Sequence, residues 1–385
     1  MINRKKTIGE FIFLFVIIAA FIQSVIKLMR RASTGWDHEI YCKASEVWSS
    51  GLDPYIAENL GMKLSYSYPA LFLTFYQYLC SIKFIFIYID ILLIGVIVWL
   101  LVRKLSSSLI VALPVVLLGY NSTYSNIETG NLGVVEAFLL TLALVFTVQK
   151  KNWSSIFLVP MAFLKIVPSM LALPIWFSSP KWKDRAIQFI VFVGGMISLI
   201  VANIIFSKEL ALSFFRQLTG GYLNQHSPAN EMTANASNPT VLLFFKNLAM
   251  MFTEQYWFAI FVILVAGLAA LTYWVWKNTI RNEASALYRL CWSYLLILMW
   301  IPRLKPYALI LLCVAMVPLL SRVPRRFAFW IFFVTVFHRV LNGTKNNEWW
   351  ELISNNTAIY TMIAVLILLT LQWRKQRQTS KDVDV

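Results

Sequence analysis

The feature that most constrains this chain is a succession of apolar runs, each near the length of a membrane-spanning helix, separated by short basic clusters. Crossing a hydrocarbon core takes about 20 residues of apolar helix, because lipid offers no partner to exposed backbone N–H and C=O groups. Runs of that kind lie at 11–29, 84–102, 130–148, 186–206, 256–276 and 357–373. Shorter or broken ones lie at 69–82, 108–120, 153–178, 287–301, 306–320 and 327–341, and Pro114, Pro160, Pro168 and Pro174 interrupt some of them. Irregular backbone at membrane depth persists only where protein or a water-filled cavity satisfies it, so these pieces predict an interior cavity. The expected fold is all-α, a polytopic integral membrane protein of about 10–13 transmembrane or re-entrant helices. With no internal repeat, low-complexity tract or linker, 1–385 reads as a single transmembrane domain.

Composition excludes the alternatives. The chain is 59% hydrophobic and 14% charged, outside the range of a soluble domain. Its formal net charge of +16 is spread over clusters between apolar runs and forms no continuous basic face, so nucleic acid is not an expected partner. Short cytoplasmic loops collect Lys and Arg. "NRKK" near the N-terminus, the basic pairs at 103–104 and 150–151, "KWKDR", "RVPRR" and the C-terminal "RKQRQTSK" are therefore expected in the cytoplasm with both termini. The larger polar loops, 30–68 and 207–255, then face outward from a cytoplasmic membrane, with an odd crossing or re-entrant hairpin needed in 69–102 and in 153–178. The first run ends in "KLMRR" without a small-residue cleavage site and reads as a retained anchor. Cys42, Cys80, Cys291 and Cys313 show no metal-ligand spacing, so neither a disulfide framework nor a metal site is expected.

The first outer loop, "STGWDHEIYCKASEVWSSGLDPYI", carries Asp37, Glu39, Glu46 and Asp53. Ile40, Ala44 and Val47 recur at helical spacing, which predicts an amphipathic helix over 38–50 at the membrane surface, ended by Gly51 and Pro54. Asp37 at its start reads first as a helix cap. It also reads as a fixed carboxylate able to act as general base on an acceptor hydroxyl. Capping would make it a weak base, which suffices where the hydroxyl acidifies late, as its new bond forms.

The order of residues adds a resemblance. Asp37, Tyr41, Ala44, Gly51, Pro54 and Tyr55 resemble the opening of the extracytoplasmic loop in glycosyltransferase family 87 (DUF2029). "YSYPALFLTFYQYL" is similar to the family's Tyr-Pro-Pro-Leu helix start, with Ala70 in place of the second proline. "ETGNLGVVEAFLLTLAL" resembles its Gly-Gln-x-Asn segment, with Asn131 directly after Gly130. "MAFLKIVPSMLALPIWF" resembles its Lys-Pro broken helix, with Lys165 and Pro168 spaced apart, and "WIPRLKPYALILLCVAMVPLL" its Pro-Arg-x-Lys-x-Tyr helix start. Across about residues 30–320 these stretches keep the family's order. The resemblance implies a GT-C-like membrane enzyme that moves a sugar, mannose or arabinose by family expectation, from a polyprenyl-phosphate donor to an outward-facing glycan or glycolipid acceptor. It implies inversion, Asp37 as base, membrane lipid as surroundings and no cofactor.

A departing polyprenyl phosphate gains negative charge and needs a cationic clamp. Arg303 and Lys305, on the side where basic residues are disfavoured and beside a helix start at Pro306, are the candidates. They could also be interfacial anchors. Asp90, Glu136, Lys165, His338 and Arg339 lie in spans and must be paired or face water; Lys165 with Glu136 reads as an ion pair, and Lys165 also as a substrate contact. Glu39 is a supporting carboxylate, and Glu128 and Asn131 in a short turn could touch sugar hydroxyls or simply serve the turn. Tyr41, Trp48, Tyr55, Tyr66 and Tyr68 suit a sugar face or a membrane interface, and His226 lies in a loop long enough for a lid. Broken helices and intramembrane charges also suit a secondary transporter, and a lipid-linked oligosaccharide flippase or polymerase is a further alternative.

Overall fold

The computed structural model describes residues 8–31, 35–61, 66–82, 84–165, 167–179, 181–218, 239–301, 304–337, 354 and 356–383. The chain begins with α1 (Ile8–Met29), α2 (Trp36–Ser49), α3 (Ala57–Leu60), α4 (Ala70–Tyr76), α5 (Ile85–Arg103) and α6 (Leu109–Leu118). It continues with α7 (Ser122–Thr129), α8 (Gly133–Val148), α9 (Val159–Leu164), α10 (Ala172–Ser178), α11 (Trp182–Phe206) and α12 (Lys208–Leu218). The last third comprises α13 (Val241–Phe252), α14 (Trp257–Asn278), α15 (Ala286–Trp300), α16 (Leu309–Leu320), α17 (Arg325–Val336) and α18 (Thr357–Val383). No strand occurs among the described residues. The all-helical, polytopic expectation therefore holds.

Among the described residues, five helices are long and apolar enough to cross a membrane: α1, α5, α11, α14 with the turn after it, and α18. The run at 130–148 departs from expectation. Its first three residues form a turn, and α8, which follows, has only 16 residues and buries most of its length in protein. In the region expected as an outer loop, 207–255, α12 and α13 are ordered helices, and α13 is apolar.

The chain divides into two compact units that alternate along the sequence, one of residues 1–24, 97–124 and 232–385 and the other of 25–96 and 125–231. In the first, α16 is buried along all twelve residues, which is why its sequence is apolar on every face. Gly119, after α6, lies so close to α16 that a Cβ there would sit 2.7 Å from Cys313 Sγ. At the polar end of this unit Glu283 holds Arg377 at 2.8 Å and takes the Trp373 indole N–H at 3.2 Å, joining the turn after α14 to α18.

The second unit contains the first loop. Here α2 starts two residues earlier than the periodicity predicts and ends as expected. Gly51, at φ +82°, donates to Trp48 O, and Leu52 donates to Val47 O, the paired bonds of a left-handed helix stop. The face formed by Ile40, Ala44 and Val47 is not left for lipid. It packs into a core with Tyr55, Tyr66, Tyr68, Leu73 and Phe214. Asp53 ties the end of the loop to α12, its carboxylate accepting from Tyr55 N–H and from Ser213 Oγ.

Candidate active site

The site grows from two glycines. Gly35 caps α2 at φ +85°, and its N–H donates to the Glu128 carbonyl at 2.8 Å. Gly130 follows α7 at φ +69° and donates to Asn126 O. A Cβ on Gly130 would stand 2.9 Å from His38 Cβ and 3.3 Å from both Gly35 Cα and His38 N. The turn after α7 is therefore pressed backbone to backbone against the start of α2, an approach that only glycine permits. Asn131 is the next residue, and it is delivered to Asp37.

The expectation that Asp37 caps α2 is corrected: Gly35 holds the cap position, and no side chain makes a capping bond. Asp37 lies inside the first turn, and its Oδ2 accepts from Asn131 Nδ2 at 2.8 Å. Asn131 Oδ1 in turn accepts from Lys165 Nζ at 3.0 Å, and Lys165 Nζ pairs with Glu136 Oε1 at 2.7 Å. An ammonium only donates and a carboxylate only accepts, so chemistry fixes which way the Asn131 amide points. Glu136 is 2% exposed and Lys165 24%, so the expected ion pair is present and largely removed from water. Lys165 can reach it because α9 stops at Leu164 and residue 165 is extended, φ −144° and ψ 119°. Pro168 explains the stop, since its ring would collide with the carbonyl of residue 164 in a continuing helix.

Tyr68 borders this chain, with Lys165 Nζ 6.0 Å from its ring centre. Burial pushes the Tyr68 hydroxyl above its ordinary range, and Lys165 partly offsets that. Tyr41 donates to Tyr68 Oη at 2.8 Å, and Tyr55, which is 0% exposed, donates to Tyr68 O at 2.6 Å. Tyr41 and Tyr55 are thus core residues that seat α2, which corrects their assignment to a sugar-binding face: neither has surface to offer.

A second correction concerns cysteine. Cys42 on α2 and Cys80, just beyond α4, form a disulfide across 38 residues. His38 fills the space between the same two elements. Its Nδ1 lies 2.5 Å from Tyr76 Oη and its Nε2 3.6 Å from Cys42 Sγ. A disulfide sulfur can only accept, so Nε2 carries the proton and Tyr76 donates to Nδ1. Burial depresses the His38 pKa, in keeping with a neutral ring. The sequence reading did not single out His38. Its position beside Asp37, one turn before Cys42, was the available signal.

The remaining candidates separate. Glu39 is exposed. Glu128 pairs with Arg31 at 3.2 Å while its carbonyl holds Gly35, so it secures the approach to α2. Lys305 is half-buried at the head of the turn Pro306–Ala308 that leads into α16, in the other unit. Arg303, His226, His338 and Arg339 lie outside the described residues. Among the described residues no group of three or more His, Cys, Asp or Glu side chains could hold a metal ion.

No curated protein and no solved structure matches this chain. One family model does, over residues 68–302, more than half of the chain. The matched stretch takes in Tyr68, Asn131, Glu136 and Lys165 and stops short of Asp37 on one side and Arg303 on the other. Its description is glycosyltransferase family 87, and with its apolar spanning helices the chain belongs to that family of membrane glycosyltransferases.

Proposed function

We propose that the protein moves a sugar from a polyprenyl-phosphate donor to a glycan or glycolipid acceptor on the outer face of the cytoplasmic membrane, inverting the anomeric carbon, with Asp37 as general base. The observation that carries this reading is the half-buried Asp37 carboxylate held by the Asn131 amide at the start of α2. In the reaction the acceptor hydroxyl gives its proton to Asp37, its oxygen bonds to the anomeric carbon, and the bond from that carbon to the phosphate oxygen breaks. The polyprenyl phosphate leaves with the electron pair. The departing phosphate requires a cationic partner, and Arg303 and Lys305 are the candidates the sequence offers for that role.

The disulfide supports the outward orientation. Structural disulfides persist in oxidising compartments, and Cys42 sits on the helix that carries Asp37, five residues away. The basic clusters assign the same side by an independent rule.

The test is Asp37→Asn, which keeps the shape and one oxygen able to accept from Asn131 but cannot take the proton. Transfer from a radiolabelled polyprenyl-phosphate mannose or arabinose should be lost while donor binding persists, and Glu39→Gln should do less harm. Near-normal turnover by Asp37→Asn would remove Asp37 from the mechanism. A more severe loss in Glu39→Gln would move the base to Glu39.

A further inference from the structure

We infer that Asn131, Lys165 and Glu136 are not substrate contacts but a positioning chain that aims the Asp37 carboxylate and sets its basicity; this rests on Asp37 being the base. The charges along the chain alternate: carboxylate, amide dipole, ammonium, carboxylate. Each link is a hydrogen bond or ion pair of 2.7–3.0 Å. Asn131 is 5% exposed, one N–H of its amide is given to Asp37 and its oxygen already accepts from Lys165, so burial leaves little of the amide for a sugar hydroxyl to reach.

Lys165 polarises the amide from its oxygen end, which strengthens the N–H donated to Asp37. Glu136 tempers Lys165 from the far side. The arrangement therefore tunes as well as aims. A donor to the charged form and a nearby cation both lower a carboxyl pKa, and a second anion raises it. Among the described residues, the titratable groups near Asp37 include Lys165 from the break after α9, Glu136 from α8, Tyr68 and Tyr76 from the segment containing α4, His38 and Glu39 on α2 itself, and the Arg31–Glu128 pair at the approach to α2. Lys165 is the cation bound to the amide that reaches Asp37. Three separate stretches of chain meet here, and each is bent to do so: the glycine cap of α2, the glycine turn before α8 and the proline break after α9.

A positioning role predicts a pattern that a substrate contact does not. Asn131→Ala should lower kcat by about 10- to 100-fold with KM little changed. Its acid limb of kcat should move to higher pH by about half a unit or more, as a donor to the carboxylate is lost. Lys165→Met should move the limb the same way and Glu136→Gln the opposite way. Because Lys165→Met strands a buried carboxylate, the double variant Lys165→Met/Glu136→Gln is the safer form. Its limb should lie above wild type but below Lys165→Met, because Lys165 binds the amide that reaches Asp37 and Glu136 binds Lys165.

A KM effect without a shifted limb would make Asn131 a substrate contact and overturn the inference. Shifts of the same sign in Lys165→Met and Glu136→Gln would also overturn it. A donor-free check uses melting temperatures: the losses in Asp37→Ala and Asn131→Ala should fall short of additive in the double variant. Strict additivity would refute the link even if no tested donor supports turnover. If Asp37→Asn keeps its activity while that coupling is present, the fault lies with the base assignment and not with the chain.

Discussion

Gly130→Ala isolates the contact on which the site depends, with Gly51→Ala as its internal control. Both glycines are left-handed, at φ +69° and +82°, so an alanine at either costs about 1–2 kcal/mol from backbone strain alone. They differ in what the new Cβ meets. At Gly51 nothing lies within 4 Å, whereas at Gly130 the neighbours are His38 Cβ at 2.9 Å, Gly35 Cα at 3.3 Å and His38 N at 3.3 Å. Ordinary carbon contacts are about 3.5–4.0 Å, and these neighbours are backbone or bonded to it, so no rotamer change makes room. The turn must back away from α2 by roughly 0.5–1 Å to restore such a contact. Asn131 moves with it, and the 2.8 Å bond to Asp37 stretched toward about 3.3–3.8 Å is weakened or lost. Misplacement on that scale costs on the order of 100-fold in rate, or about 2.7 kcal/mol of barrier. Overpacking adds about 1–3 kcal/mol to the loss of stability. The assay is sugar transfer from a polyprenyl-phosphate donor in detergent, alongside the melting temperature. Gly51→Ala should lose stability but keep its turnover, while Gly130→Ala should lose both. Equal turnover in the two variants would refute the claim that the glycine contact sets the geometry of Asp37.

The other predictions use separate features. Replacing Cys42 and Cys80 together by Ser opens a 38-residue loop, which removes up to about 4 kcal/mol by loop entropy; melting should fall to that of wild type reduced by a membrane-impermeant reductant. Protection of the wild-type disulfide from that reductant in intact cells would argue against an outward α2. Burial holds the His38 pKa below its ordinary value, so the unfolded chain takes up a proton first and stability falls as pH drops below about 6.5. His38→Gln should flatten that slope in melting curves, and an unchanged slope would remove His38 as its source. Arg303→Ala should cost roughly 2–4 kcal/mol of transition-state stabilisation. Arg303→Lys should recover only part of that, because a point charge lacks the planar fork, whereas full recovery would mark Arg303 as a lipid anchor.

What the sequence made legible was set by short-range physics. The five long helices follow from apolar length, and the end of α2 from Gly51. The Lys165–Glu136 pair follows from the cost of lone charges in apolar runs. What stayed hidden depends on long-range contact. Asp37 and Asn131 are 94 residues apart, and Asn131 after a glycine suits an ordinary turn just as well. The run at 130–148 is apolar enough to read as one span, and only the meeting of Gly130 with Gly35 shows why its first residues turn. Tyrosines are equally at home at a membrane interface and in a polar core. Composition could not decide between these for Tyr41, Tyr55 and Tyr66, whereas their hydroxyl bonds to Tyr68 and to Pro69 O do. The disulfide escaped because Cys42 and Cys80 have no motif spacing; they meet only once α2 and α4 are packed together.

The presence of Lys165 and Glu136 in this interior is better explained by placement than by stability. Desolvating two charges can cost as much as their attraction returns, and buried pairs are often replaced by apolar residues at no loss. Removing one partner alone is different, since it strands the other. A pair kept for stability would need no third member, yet Lys165 also donates to Asn131, whose amide reaches Asp37. Nor would stability require the helix to break at Leu164 so that residue 165 can be extended. Replacing both charges with apolar residues of similar volume, Lys165→Met with Glu136→Leu, should therefore leave the melting temperature near that of wild type and still impair transfer. A large fall in melting temperature would return the pair to a structural role.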